Sequence, residues 1–105
     1  MKRDVTQFEE SVYLACKKIP KGRVSTYQEI ARAIKNPKSS RAVGNALNKN
    51  PFAPKVPCHR VVKSDGSVGG FASGNKNKTK LLKKEKIEIR KGKIINFEKK
   101  LFKLA

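Results

Sequence analysis

Residues 25–50, STYQEIARAIKNPKSSRAVGNALNKN, are the stretch that decides the fold. Thr26 and Glu29 have the spacing of a capping box, which predicts that a helix begins here with Tyr27 in its first turn. The apolar residues that follow at helical spacing are Ile30, Ala31 and Ile34. Asn36-Pro37-Lys38 then breaks the pattern, because proline has no backbone N–H with which to continue a helix.

A second helix is predicted after this break, with Ser39 or Ser40 as its cap and Asn50-Pro51 as its end. Its apolar positions are Ala42, Val43, Ala46 and Leu47, and its outward positions are Arg41, Asn45, Asn48 and Lys49. Two short helices joined by a tight polar turn are typical of a helix-turn-helix. The small residues of the second helix would let it lie close to a nucleic-acid backbone or a partner helix. An ordinary helical hairpin is the alternative interpretation.

Pro57-Cys58-His59-Arg60-Val61-Val62 is the second informative stretch, since it holds one of two cysteines and the only histidine. Pro57 fixes its own φ and restricts the residue before it, so the cysteine follows a stiffened segment. A neighbouring imidazole favours the thiolate, which is the nucleophilic form of the thiol. The alternative is a small apolar cysteine that enters a core strand beside a surface histidine, and adjacency alone does not decide between them.

The segment before the helix-turn-helix predicts one more helix. Thr6 and Glu9 form a capping box, and Pro20 with Gly22 ends the helical pattern. Its apolar stripe contains Phe8, Val12, Ala15 or Cys16, and Ile19. Because Cys16 lies in that stripe, it is expected to be a core residue.

The segments after the Cys-His motif predict smaller elements. Residues 64–67 form a turn signal, and residues 69–74 form a glycine-rich loop that suits close approach of a ligand to the backbone. A helix is expected to carry Leu81, Leu82 and Glu85, followed by a terminal hairpin on either side of residues 90–92 that suits a basic wing. The lysines from Lys76 to Lys86 are interpreted as a solvated basic face.

Length and charge limit the classes of protein to which the chain can belong. A chain of 105 residues predicts a single domain, residues 1–105, with a mainly α, small β, winged helix-turn-helix-like fold. The formal net charge of +18 favours a polyanionic partner, nucleic acid before an anionic membrane, although solubility or an extreme environment gives the same balance. No apolar run reaches membrane-spanning length, and two separated cysteines with one histidine predict no metal site. A cytoplasmic, monomeric protein is expected.

Several segments together carry a family resemblance. The chain resembles the C-terminal, active-site domain of the O6-alkylguanine-DNA alkyltransferases, also called methylated-DNA–protein-cysteine methyltransferases. The segments that match the family pattern are Ile19 to Tyr27, Ser40 to Leu47, Asn50-Pro51, Pro57 to Val62, Gly66 to Phe71, and Leu81-Leu82 with Glu85.

The resemblance implies catalytic roles. Cys58 would accept an alkyl group, such as methyl, from O6 of guanine in double-stranded DNA. His59 would pass on the thiol proton through a water, with Glu85 orienting it, and Tyr27 would hydrogen-bond or protonate the departing guanine. The reaction would need no cofactor, and each molecule would act once because the thioether product is stable.

The resemblance also implies a DNA-binding surface. Arg41 would fill the gap left by the flipped nucleotide in the minor groove, and Asn50 would brace the turn after the recognition helix. The other DNA-facing residues would be Tyr27, Ser40, Ala42 and Asn45. The base pocket would be lined by Val56, Gly70, Phe71, Ala72 and Ser73.

The chain departs from the family pattern at three points. It starts near the first helix of the active domain, so the separate N-terminal domain of most family members is expected to be absent. Phe71 stands where tyrosine is common, and Ser73 stands where glycine is common. The alternatives are an alkyltransferase-like protein that binds O6-alkylguanine without repairing it, which typically lacks the cysteine, and a non-catalytic basic winged-helix DNA-binding protein.

Overall fold

The computed structural model describes residues 5–49, 51, 55–68 and 75–104, with the side chains of residues 75–77 excepted. The helices are α1 (Gln7–Cys16), α2 (Tyr27–Ala33), α3 (Ser40–Asn48), α4 (Asn75–Lys84) and α5 (Phe97–Lys100), with one 3₁₀ turn at Cys58–Arg60. The strands are β1 (Ser25–Thr26), β2 (Val61–Val62), β3 (Ile89–Arg90) and β4 (Lys93–Ile94). The mainly α, small β composition predicted from the sequence is confirmed.

Helices α1, α2 and α3 pack against one another around the first of two hydrophobic cores. The capping box predicted at Thr6 and Glu9 starts α1, with both reciprocal hydrogen bonds present. The core residues that the three helices contribute include Val12, Cys16, Ile30, Ala31, Val43, Ala46 and Leu47. At the α1–α3 contact the buried hydroxyl of Tyr13 donates to the carbonyl of Ala46 at 2.7 Å. This bond fixes the position of α3 along the axis of α1.

A parallel pair of very short strands joins the helices to the Cys-His segment. β1 pairs with β2 so that Ser25 is opposite Val61 and Thr26 is opposite Val62. Successive side chains of a strand point to opposite faces. Val61 accordingly belongs to the core of the three helices, and Val62 belongs to the second core, formed with Val24, Leu82, Ile87 and Ile94. The pairing therefore places the 3₁₀ turn, which precedes β2, at the same end of the strands as Val24, with the start of α2 at the other end.

The predicted terminal hairpin is present as β3 and β4, which pair antiparallel with Ile89 opposite Ile94. Lys91 and Gly92 both have positive φ, which matches the two-residue turn that follows the right-handed twist of the strands. The hairpin is fastened to the turn at residues 64–67, where Ser67 bridges Lys93. It therefore extends the second core as a small basic wing, completing the winged helix-turn-helix-like architecture.

The last residues return to the helix-turn-helix. After α5, Leu101 bridges Val24, and the N–H of Phe102 donates to the carbonyl of Val24 at 2.6 Å. The N–H of Leu104 donates to a carboxylate oxygen of Glu29 at 2.9 Å. The C-terminal segment thus covers the β1 edge and ties the tail to α2.

Three details of the helix-turn-helix differ from the sequence prediction. Thr26 accepts the N–H of Glu29, but the Glu29 carboxylate binds the tail instead of completing a capping box. Ser39 is the N-cap of α3, yet its hydroxyl donates to the carbonyl of Asn36 at 2.6 Å rather than capping the helix. Ala42, placed on the buried face by the pattern, is exposed. A tertiary contact with the tail decides the role of Glu29, whereas Ser39 is held by a local hydrogen bond within the turn.

We expect Tyr13→Phe to lower the free energy of unfolding by about 1–2 kcal/mol, because the buried carbonyl of Ala46 loses its hydroxyl donor. Chemical denaturation monitored by circular dichroism measures this loss. The control is Ser11→Ala, which removes an exposed hydroxyl bond within α1 and should change stability by less than about 0.5 kcal/mol. Equal stability of Tyr13→Phe and wild type would contradict the role given to the bond.

Candidate functional site

The Cys-His segment forms a tight buried turn rather than a continuous strand. Pro57 precedes the 3₁₀ turn of Cys58, His59 and Arg60, and the N–H of Cys58 donates to the carbonyl of Val56 at 2.8 Å. Cys58 is 6% exposed and His59 is 5% exposed. The histidine is therefore not the surface residue of the alternative interpretation, and the thiol is held on a rigid backbone.

Glu85, just after the end of α4, joins this turn through a dense polar network. Its carboxylate lies 2.9 Å from Nε2 of His59, and Arg60 binds both carboxylate oxygens, at 2.9 Å through Nε and 2.8 Å through Nη2. The third guanidinium nitrogen of Arg60, Nη1, donates to the carbonyl of Ile19 at 2.8 Å. The network connects the end of α4, the 3₁₀ turn and the loop after α1.

The network also sets the proton positions. Burial acts to raise the pKa of Glu85, but the hydrogen bonds from Arg60 and His59 outweigh burial and lower the pKa below its usual value. An ionised carboxylate only accepts, so Nε2 of His59 carries the proton of the hydrogen bond to Glu85.

The two cysteines lie in the same hydrophobic core but in different surroundings. Cys16 is fully buried in α1, and burial raises the pKa of its thiol to about 12. It is therefore a neutral core thiol, as the sequence predicted. Among the described residues Cys58 makes no direct hydrogen bond to His59, so proton transfer between them requires a bridging group.

Tyr27 is the first residue of α2 and packs, half-buried, against the core that contains Cys58. Burial raises the pKa of its phenol. Gly44 of α3 faces the ring, and a Cβ added there would lie 3.8 Å from a ring carbon, at ordinary van der Waals distance. The two predicted site residues Tyr27 and Cys58 share one core.

The sequence interpretation of Lys76–Lys86 as a solvated face is wrong at one position. Lys78 is 0% exposed, and its ammonium lies 3.3 Å from the phenol oxygen of Tyr27 and 5.6 Å from the ring centroid. Burial lowers its pKa to about 8. A lysine-rich helix gives no sign of which lysine points inward, although Lys78 lies one helical turn before Leu82, which is buried.

Helix α3 presents the polar surface that its sequence predicted. Arg41, Ala42 and Asn45 are exposed, and Ser40 is partly exposed. Val43, Ala46 and Leu47 face the core. The exposed side chains therefore form one face of the second helix of the helix-turn-helix.

Five of the predicted site residues lie outside the described structure. The first is Asn50, which was predicted as a hinge. The others are the predicted pocket residues Gly70, Phe71, Ala72 and Ser73, whereas the remaining pocket residue, Val56, is buried next to the 3₁₀ turn.

Within residues 5–49, 51, 55–68 and 75–104, no group of three or more His, Cys, Asp or Glu side chains is arranged to hold a metal ion. The helices described there are all too short or too polar to cross a bilayer.

Comparison with known families identifies the chain. Residues 7–87 match the family model of the 6-O-methylguanine DNA methyltransferase, DNA binding domain. The chain belongs to this family. The matched residues run from the start of α1 through the His59–Glu85 pair, so the site described above lies inside the family domain.

Curated relatives of the 6-O-methylguanine DNA methyltransferase family are similar over the same region. The methylated-DNA–protein-cysteine methyltransferase of Methanosarcina acetivorans is 55% identical over 80 residues, which are 76% of this chain and 51% of the relative. The methyltransferase of Haemophilus influenzae is 41% identical over 87 residues, 83% of this chain and 49% of the relative. The chain spans about half the length of the curated relatives it matches.

Two solved structures are similar in fold. Mycobacterium tuberculosis OGT in complex with DNA has a TM-score of 0.77 at 42% identity, covering 79% of this chain and 52% of that one. S. pombe Atl1, in complex with damaged DNA containing O6-carboxymethylguanine, has a TM-score of 0.84 at 33% identity and covers 96% of this chain and 99% of that one. The Atl1 match extends the similarity to the wing and tail beyond residue 87.

We expect Glu85→Gln to destabilise the protein by about 2–4 kcal/mol at pH 7, because Arg60 loses its buried counter-charge. The folded-state pKa of Glu85 is lowered, so its contribution is complete above the unfolded-state pKa and is lost as pH falls through the folded-state pKa. The stability difference between wild type and variant should therefore shrink below about pH 4. Denaturant unfolding at a series of pH values measures it.

The control is Glu88→Gln, which removes an exposed carboxylate paired with Arg90 at 3.5 Å. It should change stability by less than about 1 kcal/mol at every pH. A stability difference for Glu85→Gln that stays constant down to pH 3 would exclude the carboxylate as the source of the effect.

Proposed function

We propose that this protein repairs DNA by direct, single-turnover transfer of an alkyl group, such as methyl, from O6 of guanine in double-stranded DNA to Cys58. The observation that carries the proposal is the buried turn that holds Cys58 beside a histidine bound to Glu85 at 2.9 Å. Membership in the 6-O-methylguanine DNA methyltransferase family supports it, as do relatives named for this reaction. In this proposal the chain is the C-terminal, active-site domain of such a protein, acting as a cytoplasmic monomer without metal or cofactor.

The transfer is an in-line displacement at the alkyl carbon. Cys58 loses its proton, through a bridging water, to Nδ1 of His59, whose Nε2–H is fixed by Glu85. The thiolate electron pair forms the S–C bond while the C–O6 bond breaks, and its electrons go to the guanine ring. Tyr27 hydrogen-bonds or protonates the departing guanine. The product thioether is stable, so Cys58 is consumed and each molecule acts once.

The substrate must leave the base stack before it can reach a buried thiol. The exposed face of α3 provides the contact with the minor groove in this proposal, with Arg41 filling the gap left by the flipped nucleotide. Ser40, Ala42 and Asn45 lie against the backbone and groove, and Asn50 braces the turn after α3. The base pocket combines Val56 with residues 70–73.

A second candidate is a protein that binds O6-alkylguanine damage without repairing it. It is favoured by the similarity to S. pombe Atl1, since the match covers 99% of that chain. The thiol at position 58, held with its histidine and Glu85, favours transfer over binding alone. A third candidate, a non-catalytic basic winged-helix protein, rests on the charge of +18 alone.

Incubation with duplex DNA containing O6-methylguanine should add the mass of one methyl group to the protein, on Cys58. Intact-mass measurement followed by peptide mapping tests this. Cys58→Ala should abolish transfer and keep binding to the damaged duplex. Cys16 is the internal control, because its neutral buried thiol should stay unmodified. Preferential binding to the damaged duplex without any mass increase would favour the damage-binding candidate. If the protein shows neither a preference for damaged DNA nor methyl transfer, the non-catalytic winged-helix candidate is favoured.

Arg41→Ala should slow transfer from duplex DNA by about tenfold or more, with little effect on transfer from free O6-benzylguanine, because the arginine acts on base extrusion. The variant should also reduce the slope of log K against log salt by about one, since one positive charge is removed from the interface with polyanionic DNA. Single-turnover kinetics and binding titrations measure the two effects. The matched control is Arg41→Lys, which keeps the charge and should keep the salt slope. Equal losses on duplex and free base would contradict the role.

A further inference from the structure

The tail, residues 100–104, is hydrogen-bonded to the segment that leads into Tyr27. The N–H of Val24 donates to the carbonyl of Lys100 at 2.9 Å, and the N–H of Phe102 donates to the carbonyl of Val24 at 2.6 Å. These two bonds have the pattern of a parallel ladder. The tail therefore runs beside β1 as a short third strand, on the edge of β1 that β2 does not occupy.

Arg23 holds the same tail through its side chain. Its Nε donates to the carbonyl of Lys100 at 3.1 Å, and its Nη2 donates to the carbonyl of Leu101 at 2.8 Å. The guanidinium carbon also lies 5.8 Å from the centroid of the Phe102 ring, which is within the range of a cation–π contact. Because the guanidinium is planar and its N–H groups have a fixed geometry, this contact sets the direction of the tail beside β1.

Glu29 of α2 binds the other end of the tail. Its carboxylate accepts the N–H of Leu104 at 2.9 Å, and its own N–H donates to the hydroxyl of Thr26 at 3.0 Å. A hydrogen bond to a carboxylate is stronger than one between neutral groups. The side chain of Leu104 packs against the first core. The tail is therefore fastened both to the residues before β1 and to the first turn of α2.

We infer that this tail is a positioning element for Tyr27, because it fastens the chain on both sides of that residue. Val24 precedes Tyr27 by three residues, and Glu29 follows it by two. The inference rests on the proposed alkyl transfer, in which Tyr27 hydrogen-bonds or protonates the departing guanine. The tail lies beyond residues 7–87, which the family model matches, and it acts through Tyr27 without taking part in bond making.

Tyr27 depends on such contacts because the elements that carry it are short. β1 has two residues and α2 has seven. A helix of this length is not stable by itself and takes its stability from tertiary packing. A misplacement of about 1 Å in a group that positions substrate can cost about a hundredfold in rate. Loosening the tail should therefore slow the chemical step even while the core stays folded.

Leu104→Pro tests the inference by removing the N–H that Glu29 accepts. Lys103→Pro is the matched control, since Lys103 is exposed and its N–H makes no hydrogen bond to another described residue. The measurement is the single-turnover rate of transfer from free O6-benzylguanine, which excludes effects of charge on DNA binding. We expect Leu104→Pro to slow transfer about tenfold and Lys103→Pro to stay within about twofold of wild type.

Iodoacetamide alkylation, with peptide mapping, separates this effect from a general loss of structure. Cys58 should react at the wild-type rate in Leu104→Pro, and Cys16 should stay unreactive because the core remains closed. If Cys16 becomes reactive, the core has opened and Arg23→Met decides instead, since it removes the guanidinium donors at the other end of the tail. Arg23→Met should slow transfer about tenfold with Cys16 still unreactive.

A double-mutant cycle shows whether the tail acts through Tyr27. Tyr27→Phe removes the phenol oxygen, so adding Leu104→Pro to it should slow transfer by less than about twofold, because two changes that act on one step are not additive. Additive losses would overturn the inference. An equal loss in Lys103→Pro and Leu104→Pro would also overturn it.

The position of Tyr27 is also measured without any alkyl transfer. With carbon-13-labelled tyrosine, the ring signals come from Tyr13 and Tyr27 alone, the two tyrosines of the chain. Leu104→Pro should shift the Tyr27 signal and leave that of Tyr13 in place, and Lys103→Pro should shift neither. If the Tyr27 signal moves but wild type accepts no alkyl group, the proposed function fails and the role of the tail stands. If transfer occurs and neither its rate nor the Tyr27 signal responds to Leu104→Pro, only the role of the tail fails.

Discussion

The carboxylate of Glu85 is the interaction on which the site depends. It is nearly buried, so it is tolerated only because Arg60 and His59 surround it with donors. Those two donors are neighbours of Cys58 in one 3₁₀ turn, and Arg60 also reaches back to the carbonyl of Ile19. The Glu85 carboxylate therefore connects the end of α4 to the turn and, through Arg60, to the loop after α1. The turn is held in place because His59 and Arg60 must both stay within hydrogen-bonding distance of this carboxylate.

The two short strands β1 and β2 contribute to the position of Tyr27. β1 and β2 are two residues each, yet the side chains of β2 divide between the two cores, Val61 in the first and Val62 in the second, so displacing β2 disturbs both. Tyr27 follows β1 without a loop, and Cys58 precedes β2 by three residues. The start of α2 and the cysteine turn lie at opposite ends of this parallel pair, but the pair is so short that Tyr27 still packs against the core that holds Cys58.

The sequence predicted what local patterns determine. The capping box at Thr6, the helix-turn-helix and the terminal hairpin were confirmed, because periodicity and turn residues set them. The position of Lys78 was missed, since one lysine among many on α4 is chosen by packing against α2 and the cysteine turn. The Arg60–Glu85 pair was also missed, although the pairing of Glu85 with His59 followed from the resemblance. Contacts between residues 25 or more positions apart have no local signal.

The two cysteines show why residue type alone does not identify a nucleophile. Both are buried in one core, and burial by itself makes a thiol inert by penalising the charged form. Cys16 lies within the apolar stripe of α1, where no polar group within its helix offsets that penalty. Cys58 lies on a turn whose next residue is a histidine hydrogen-bonded to a carboxylate. In the proposed reaction this thiol therefore depends on the His59–Glu85 pair to offset the cost of a charge in the core, and the fold positions that pair through the 3₁₀ turn and the end of α4.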